Sequence, residues 1–125
     1  MNHIEFGAAG EDIAVKYLER KGWSIIARNV KVGRGELDIV AEDCGELVIV
    51  EVRTRRIGYL SPAETTVGPV KVKRIIKAAR TYVDQIAFSG AWRIDVVAVT
   101  ENDAGELSAE LFSDITMGME GGFMG

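Results

Sequence analysis

The sequence is poor in the residues that build disulfide frameworks and histidine-based sites. It contains one cysteine, Cys44, and one histidine, His3. A single cysteine cannot form an intramolecular disulfide, which fits a reducing compartment. One histidine beside the chain start is more typical of a surface position than of a catalyst. The composition therefore excludes a disulfide-stapled fold and a histidine-rich metal site.

Long apolar runs are also missing. No stretch approaches the roughly 18 residues of a membrane span, and the first residues lack the cationic start and apolar segment of a signal peptide. We therefore expect a cytoplasmic protein without a membrane segment. The 125 residues, 47% of them hydrophobic, suffice for one domain with its own core. We place that domain at residues 1–115 and expect residues 116–125 to be a disordered tail.

Basic residues are absent from residues 101–125, which carry six acids, whereas residues 53–80 carry eight bases against one acid. The net charge of −4 argues against binding to phosphates, but a chain that segregates its charges can still present a cationic surface. We expect a nucleic acid, with DNA preferred, to contact this surface; a solvated helix face is the alternative interpretation. The candidate binding residues are Arg55, Arg56, Lys71, Lys73, Lys77 and Arg80.

Hydrophobic periodicity predicts helices over residues 6–21 and 70–86, and extended segments over residues 23–32, 36–42, 47–54, 92–100 and 107–115. The order α-β-β-β-α-β-β indicates an α/β fold with a mixed sheet flanked by helices. The helix between the third and fourth strands makes that pair parallel if both belong to one sheet. The Gly33-Arg34-Gly35 break indicates a turn rather than a phosphate loop, since no helix follows it. We expect residues 55–69 to form a long loop of the kind that often carries function.

Register predicts a pair of facing carboxylates. A two-residue turn at Cys44-Gly45 places residues whose numbers sum to 89 opposite each other, so Asp38 lies across from Glu51. Facing like charges destabilise a sheet unless a proton or a divalent cation such as Mg²⁺ compensates. A water-separated pair on an exposed face, or a bulged turn that offsets the two acids, is the alternative.

Other charged positions follow from strand and helix periodicity. Arg53 projects to the same face as Glu51 because strand side chains alternate with a period of two. Glu11 falls at the margin of the first helix's apolar stripe and can approach the edge of the sheet. Asp95, inside an apolar strand, is interpreted as a buried hydrogen-bonded carboxylate rather than a catalyst.

Four motifs together resemble the YraN-like uncharacterised protein family. They are G-x-x-G-E-x-x-A-x-x-Y-L (7–18), GELDIV (35–40), VIVEVRTR (48–55) and RIDVVAV (93–99), and the resemblance covers about residues 5–100. It implies the PD-(D/E)xK restriction-endonuclease-like fold and similarity to archaeal Holliday junction resolvases. It also implies a catalytic set of Glu11, Asp38, Glu51 and Arg53, with Mg²⁺ or Mn²⁺ held by the three carboxylates. By analogy with resolvases that act on a symmetrical junction, it favours a homodimer.

The sequence departs from this family at Arg53, where the motif usually has lysine. Arginine is a planar, permanently charged group suited to gripping phosphate, whereas lysine can orient an attacking water. Metal and phosphate binding are retained in this interpretation, and hydrolysis is left open. The expected function is therefore nucleic-acid binding with a metal-dependent endonuclease site for phosphodiester hydrolysis, with structured or branched DNA among the expected substrates. The alternative is a nuclease-fold module with weak or no catalysis that binds DNA or another protein.

Overall fold

The computed structural model describes residues 3–56 and 69–113. Its elements follow the predicted order: α1 (His3–Arg20), β1 (Ser24–Val32), β2 (Gly35–Asp43), β3 (Glu46–Arg56), α2 (Pro69–Gln85), β4 (Trp92–Glu101) and β5 (Leu107–Phe112). The predicted α/β fold class is confirmed, with element ends within about three residues of those expected. Most of the predicted loop at residues 55–69 and all of the predicted tail lie outside the described residues.

The five strands form one sheet in the order β1-β2-β3-β4-β5. Only β3 and β4 are parallel, as predicted from the helix between them, and the other neighbours are antiparallel. β3, whose apolar run indicated a central strand, is third of the five strands, and β5 lies at an edge. The sheet is therefore mixed, as the sequence indicated.

The two helices cover opposite faces of the sheet because each has one apolar stripe. Val72, Ile75 and Ala79 of α2 pack with Leu47 and Ile49 of β3 in one core cluster. In the second cluster Ala14 and Leu18 of α1 pack with Val48, Val50 and neighbours. β3 thus alternates its side chains between two apolar layers. This parity directs Glu51 and Arg53 towards the α2 side.

An ion-pair cluster lies at the N-terminal ends of β3 and β4. Both Asp95 carboxylate oxygens accept hydrogen bonds from Arg93 Nε at 3.1 Å, and Asp95 is fully buried. Arg93 also pairs with Glu46 and Asp43 beside the β2–β3 turn. The interpretation of Asp95 as a buried hydrogen-bonded carboxylate is confirmed, and its partners are structural groups at the sheet end.

Within the described residues, no helix is both long enough and apolar enough to cross a membrane.

Candidate metal and nucleic-acid site

The turn between β2 and β3 sets the register that aligns two carboxylates. Cys44 and Gly45 both have positive φ, 51° and 86°, the backbone of a two-residue hairpin turn. The ladder runs from Asp43↔Glu46 to Ile39↔Val50, and each pair has numbers that sum to 89, as predicted. The next two residues in this register are Asp38 and Glu51.

The ladder between β2 and β3 stops just before these acids. Beyond it β2 continues to pair with β1 as far as Val32↔Gly35, and β3 continues with β4 as far as Arg56↔Glu101. Leu37 packs in the α2-side core cluster and Ile39 in the α1-side cluster, so the alternation of β2 is interrupted at Asp38. The two strands separate there.

The Asp38 side chain bonds to β3 at the position where the backbone ladder between β2 and β3 ends. Its Oδ2 accepts a hydrogen bond from the backbone N–H of Val52 at 2.9 Å. The carboxylate thus substitutes for a backbone acceptor and is fixed against β3. A cleft of about 320 Å³ lies at this position, lined by Gly35, Glu36, Asp38, Glu51, Lys71, Arg74, Ile75 and Ala78.

Glu51 lies in this cleft and is only 8% exposed. Burial first, and then the charge of Asp38, raise the pKa of Glu51 to about 7, against the opposing effect of Lys71. A hydrogen bond between the carboxyls of Glu51 and Asp38 also raises the pKa of Glu51, because it favours the protonated form as donor. The structure brings the two carboxylates together, as the register predicted. Without a cation, a proton compensates their repulsion.

A lysine from α2 completes this group. Lys71 Nζ lies 3.0 Å from Glu51 Oε1, and the lysine side chain is 49% exposed. Sequence reasoning placed Lys71 only among nucleic-acid-binding residues and missed this contact. The available signal was its position one helical turn before the core residue Ile75, at the edge of the apolar stripe. Which strand it would meet was not encoded locally.

Glu11, the third predicted carboxylate, approaches from the opposite face. Burial first, and then the charge of Asp38, raise the pKa of Glu11, while Arg28 and Asn29 oppose the increase. Arg28 Nη2 lies 3.6 Å from Glu11 Oε1. Glu11 is therefore within electrostatic range of Asp38. Across residues 3–56 and 69–113, however, no three acidic, histidine or cysteine side chains are grouped closely enough to hold one ion.

The predicted arginines of β3 occupy different positions. Arg53 is partly buried and two residues beyond Glu51, on the face towards α2 by strand periodicity. Arg55 Nη1 donates a hydrogen bond to the backbone oxygen of Thr54 at 3.0 Å. Arg56 ends the strand, and its side chain is outside the described residues.

The basic residues of α2 are divided between the two flanks of the helix. Lys71, Lys73, Lys77 and Arg80 are all exposed. Since a helix turns once in 3.6 residues, Lys73 and Arg80 lie about 160–180° around the axis from Lys71. Lys71 contacts Glu51, whereas Lys73 and Arg80 project from the flank away from it. Only one flank can therefore act together with the carboxylates.

Comparison with known proteins identifies relatives of the same size. Residues 10–99 match the uncharacterised protein family UPF0102. A UPF0102 protein of Bacteroides fragilis is 43% identical over 97 residues, covering 78% of this chain and 80% of the relative. One from Geobacter metallireducens is 39% identical over 101 residues, covering 80% of this chain and 83% of the relative. The chain therefore belongs to the uncharacterised protein family UPF0102, which is the YraN-like family whose motifs its sequence carries.

Proposed function

We propose that this protein binds nucleic acid at the cleft between β2, β3 and α2 and hydrolyses phosphodiester bonds there with the help of a divalent metal. One observation carries the proposal: two carboxylates, Asp38 and Glu51, line one cleft together with the lysine amine of Lys71, which pairs with Glu51. The proposed enzyme is an endonuclease of the PD-(D/E)xK superfamily that acts on DNA, including branched DNA similar to the substrates of archaeal Holliday junction resolvases. On a symmetrical branched substrate two sites would act, so the proposal includes a homodimer.

The donor set suits Mg²⁺ or Mn²⁺. Asp38 and Glu51 would hold the ion, since Mg²⁺ is commonly bound by one or two carboxylates together with waters and substrate phosphate oxygens. Burial is the largest cause of the raised pKa of Glu51, and the charge of Asp38 is the second; this second contribution would also favour a bound cation, because neighbouring anions attract added positive charge. Glu11, close enough to sense the charge of Asp38, adds negative potential from the other face. When bound, the ion supplies Lewis-acid charge for a phosphoryl oxygen and acidifies a water.

The protein's own side chains provide orientation and charge. The Val52 N–H holds Asp38 in one orientation through the 2.9 Å hydrogen bond. Lys71 supplies the amine that the family motif usually places at position 53. Its Nζ is 3.0 Å from Glu51, where a flexible donor can orient a water or balance charge that develops on phosphate oxygens. Arg53 would contribute electrostatic stabilisation of a phosphate through its guanidinium.

A cleavage panel tests this assignment. Single-stranded, duplex and branched DNA are incubated with Mg²⁺ or Mn²⁺ and the wild type, Asp38→Asn, Glu51→Gln or Glu42→Gln. We expect the first two variants to lose cleavage and Glu42→Gln to retain it, because Glu42 is exposed on the same strand and does not line the cleft. Cleavage that survives in both Asp38→Asn and Glu51→Gln would contradict the site.

A second candidate function is nucleic-acid binding without hydrolysis, and the arginine at position 53 favours it. Two variants separate the candidates. If Arg53→Lys gains cleavage, the wild type is a weakened catalyst; if neither the wild type nor Arg53→Lys cuts any substrate with either metal, while both bind DNA, the protein is a binding module. Lys71→Ala should abolish cleavage if the protein is a weakened catalyst. If the protein is a binding module, cleavage should be absent with or without this substitution.

A further inference from the structure

A second cleft adjoins the carboxylates and has the opposite charge. It encloses about 680 Å³ between the β1–β2 turn and α2, and is lined by Val32, Gly33, Arg34, Gly35, Arg74, Lys77, Ala78 and Thr81. Three of these residues are cationic, and none of the described lining residues is acidic. Gly35, Arg74 and Ala78 line this cleft and the carboxylate cleft alike. The two clefts therefore form one continuous groove.

Small residues shape the boundary between the two halves. A Cβ atom placed on Gly35 would lie 3.3 Å from the Cβ of Ala78, so the hairpin and the helix approach each other closely at this point. Ala78 is only 8% exposed. Larger side chains at either position would separate the hairpin from α2. The contact thus positions Arg34 opposite the cationic flank of the helix.

The cations follow the helix at intervals that match a nucleic-acid strand. Lys71, Arg74 and Lys77 are three residues apart, so they span about 9 Å of helix axis. A strand of B-form DNA carries one phosphate per about 3.4 Å of its axis. The three cations therefore span an axial length equal to that of two or three successive phosphates. Arg34 adds a charge from the other wall of the groove.

We propose that this groove holds the sugar-phosphate backbone of one DNA strand beside the carboxylate cleft, with Arg34, Arg74 and Lys77 as its phosphate contacts. The inference rests on the proposed function for its ligand class and extends it by assigning the path of the strand. The division of charge supports the path: the carboxylates repel phosphate unless a cation is present, whereas the adjoining half attracts it. Arg74, which lines both halves, lies where the strand passes from one to the other.

The assignment predicts a difference between the cations that line the groove and the cations of α2 that do not. Arg34→Gln, Arg74→Gln and Lys77→Gln each remove one phosphate contact, so each should lower the slope of log affinity against log salt by about 0.7–0.9. The triple variant should lower it by about 2 to 3. Lys73→Gln and Arg80→Gln are matched controls, because each removes one exposed positive charge of the same helix at a position that lines neither cleft. They should leave the slope within about 0.3 of wild type.

The measurement is fluorescence anisotropy of a labelled DNA oligonucleotide titrated with each variant from 50 to 300 mM NaCl in EDTA, where no cleavage occurs. Far-UV circular dichroism of every variant establishes that these exposed substitutions leave the fold intact. Equal effects of the groove and control substitutions, or no effect of the three groove substitutions, would overturn the groove. The cleavage panel is independent: loss of binding in Arg74→Gln without cleavage by the wild type would sustain the groove and refute the nuclease. Absence of DNA binding by the wild type would refute both.

Discussion

Replacing Glu51 by glutamine should stabilise the metal-free protein above pH 7. Burial, and then the charge of Asp38, raise the pKa of Glu51 from 4.5 to about 7 in the folded chain. The folded protein therefore binds this proton more tightly than the unfolded chain does. Binding of this proton stabilises the folded protein fully below about pH 4.5, and this stabilisation is lost as the pH rises to about 7. The shift corresponds to about 3 kcal/mol in the free energy of unfolding.

Glutamine removes this penalty but also removes the partner of Lys71. The favourable effect of Lys71 on the ionised carboxylate is already contained in the pKa of about 7, so its loss is not subtracted a second time. Glu51→Gln should then be more stable than wild type by about 1–3 kcal/mol at pH 8, and within about 1 kcal/mol of it at pH 4.5. The pH dependence of the stability difference between the two proteins is the diagnostic quantity.

Urea denaturation in EDTA at pH 4.5, 6, 7 and 8 measures the difference, with fluorescence of the buried Trp23 as the signal. Glu42→Gln is the control. It removes an exposed carboxylate from β2, and its effect should stay within about 0.5 kcal/mol at every pH. A Glu51→Gln variant that is less stable than wild type at pH 8, or a difference that does not change with pH, would refute the crowded-carboxylate account.

Three further outcomes are expected. Mg²⁺ at 10 mM should raise the wild-type free energy of unfolding by about 1.4 kcal/mol if its dissociation constant is about 1 mM, and should leave Glu51→Gln unchanged; calorimetry that detects equal binding to both would contradict the ligand assignment. Asp38→Ala should be about 1 kcal/mol less stable than Asp38→Asn, since only asparagine keeps an acceptor for the Val52 N–H; equal urea midpoints would argue against that hydrogen bond. Gly45→Ala should destabilise the protein by about 1–2 kcal/mol because φ at Gly45 is 86°, and an unchanged melting temperature would contradict the strained turn.

Local signals were sufficient to predict the order of the elements and the register of the central hairpin. The two-residue turn at Cys44-Gly45 fixes which residues face each other, because a hairpin's register follows from its turn geometry. Asp38 and Glu51 were therefore recognisable as neighbours from the sequence. Apolar periodicity likewise predicted which face of α2 is buried, since burial of one stripe determines the rotation of a helix about its own axis.

Only the tertiary structure decided which side chains join that pair. The separation of β2 from β3 at Asp38, the contact of Lys71 with Glu51, and the position of Arg34 opposite Arg74 all depend on how α2 and the β1–β2 turn sit on the sheet. These arrangements join segments that are distant in sequence, and no turn or periodicity fixes them. They follow from close packing of the whole core, which sets the approach of Gly35 to Ala78 and the reach of every side chain along the groove.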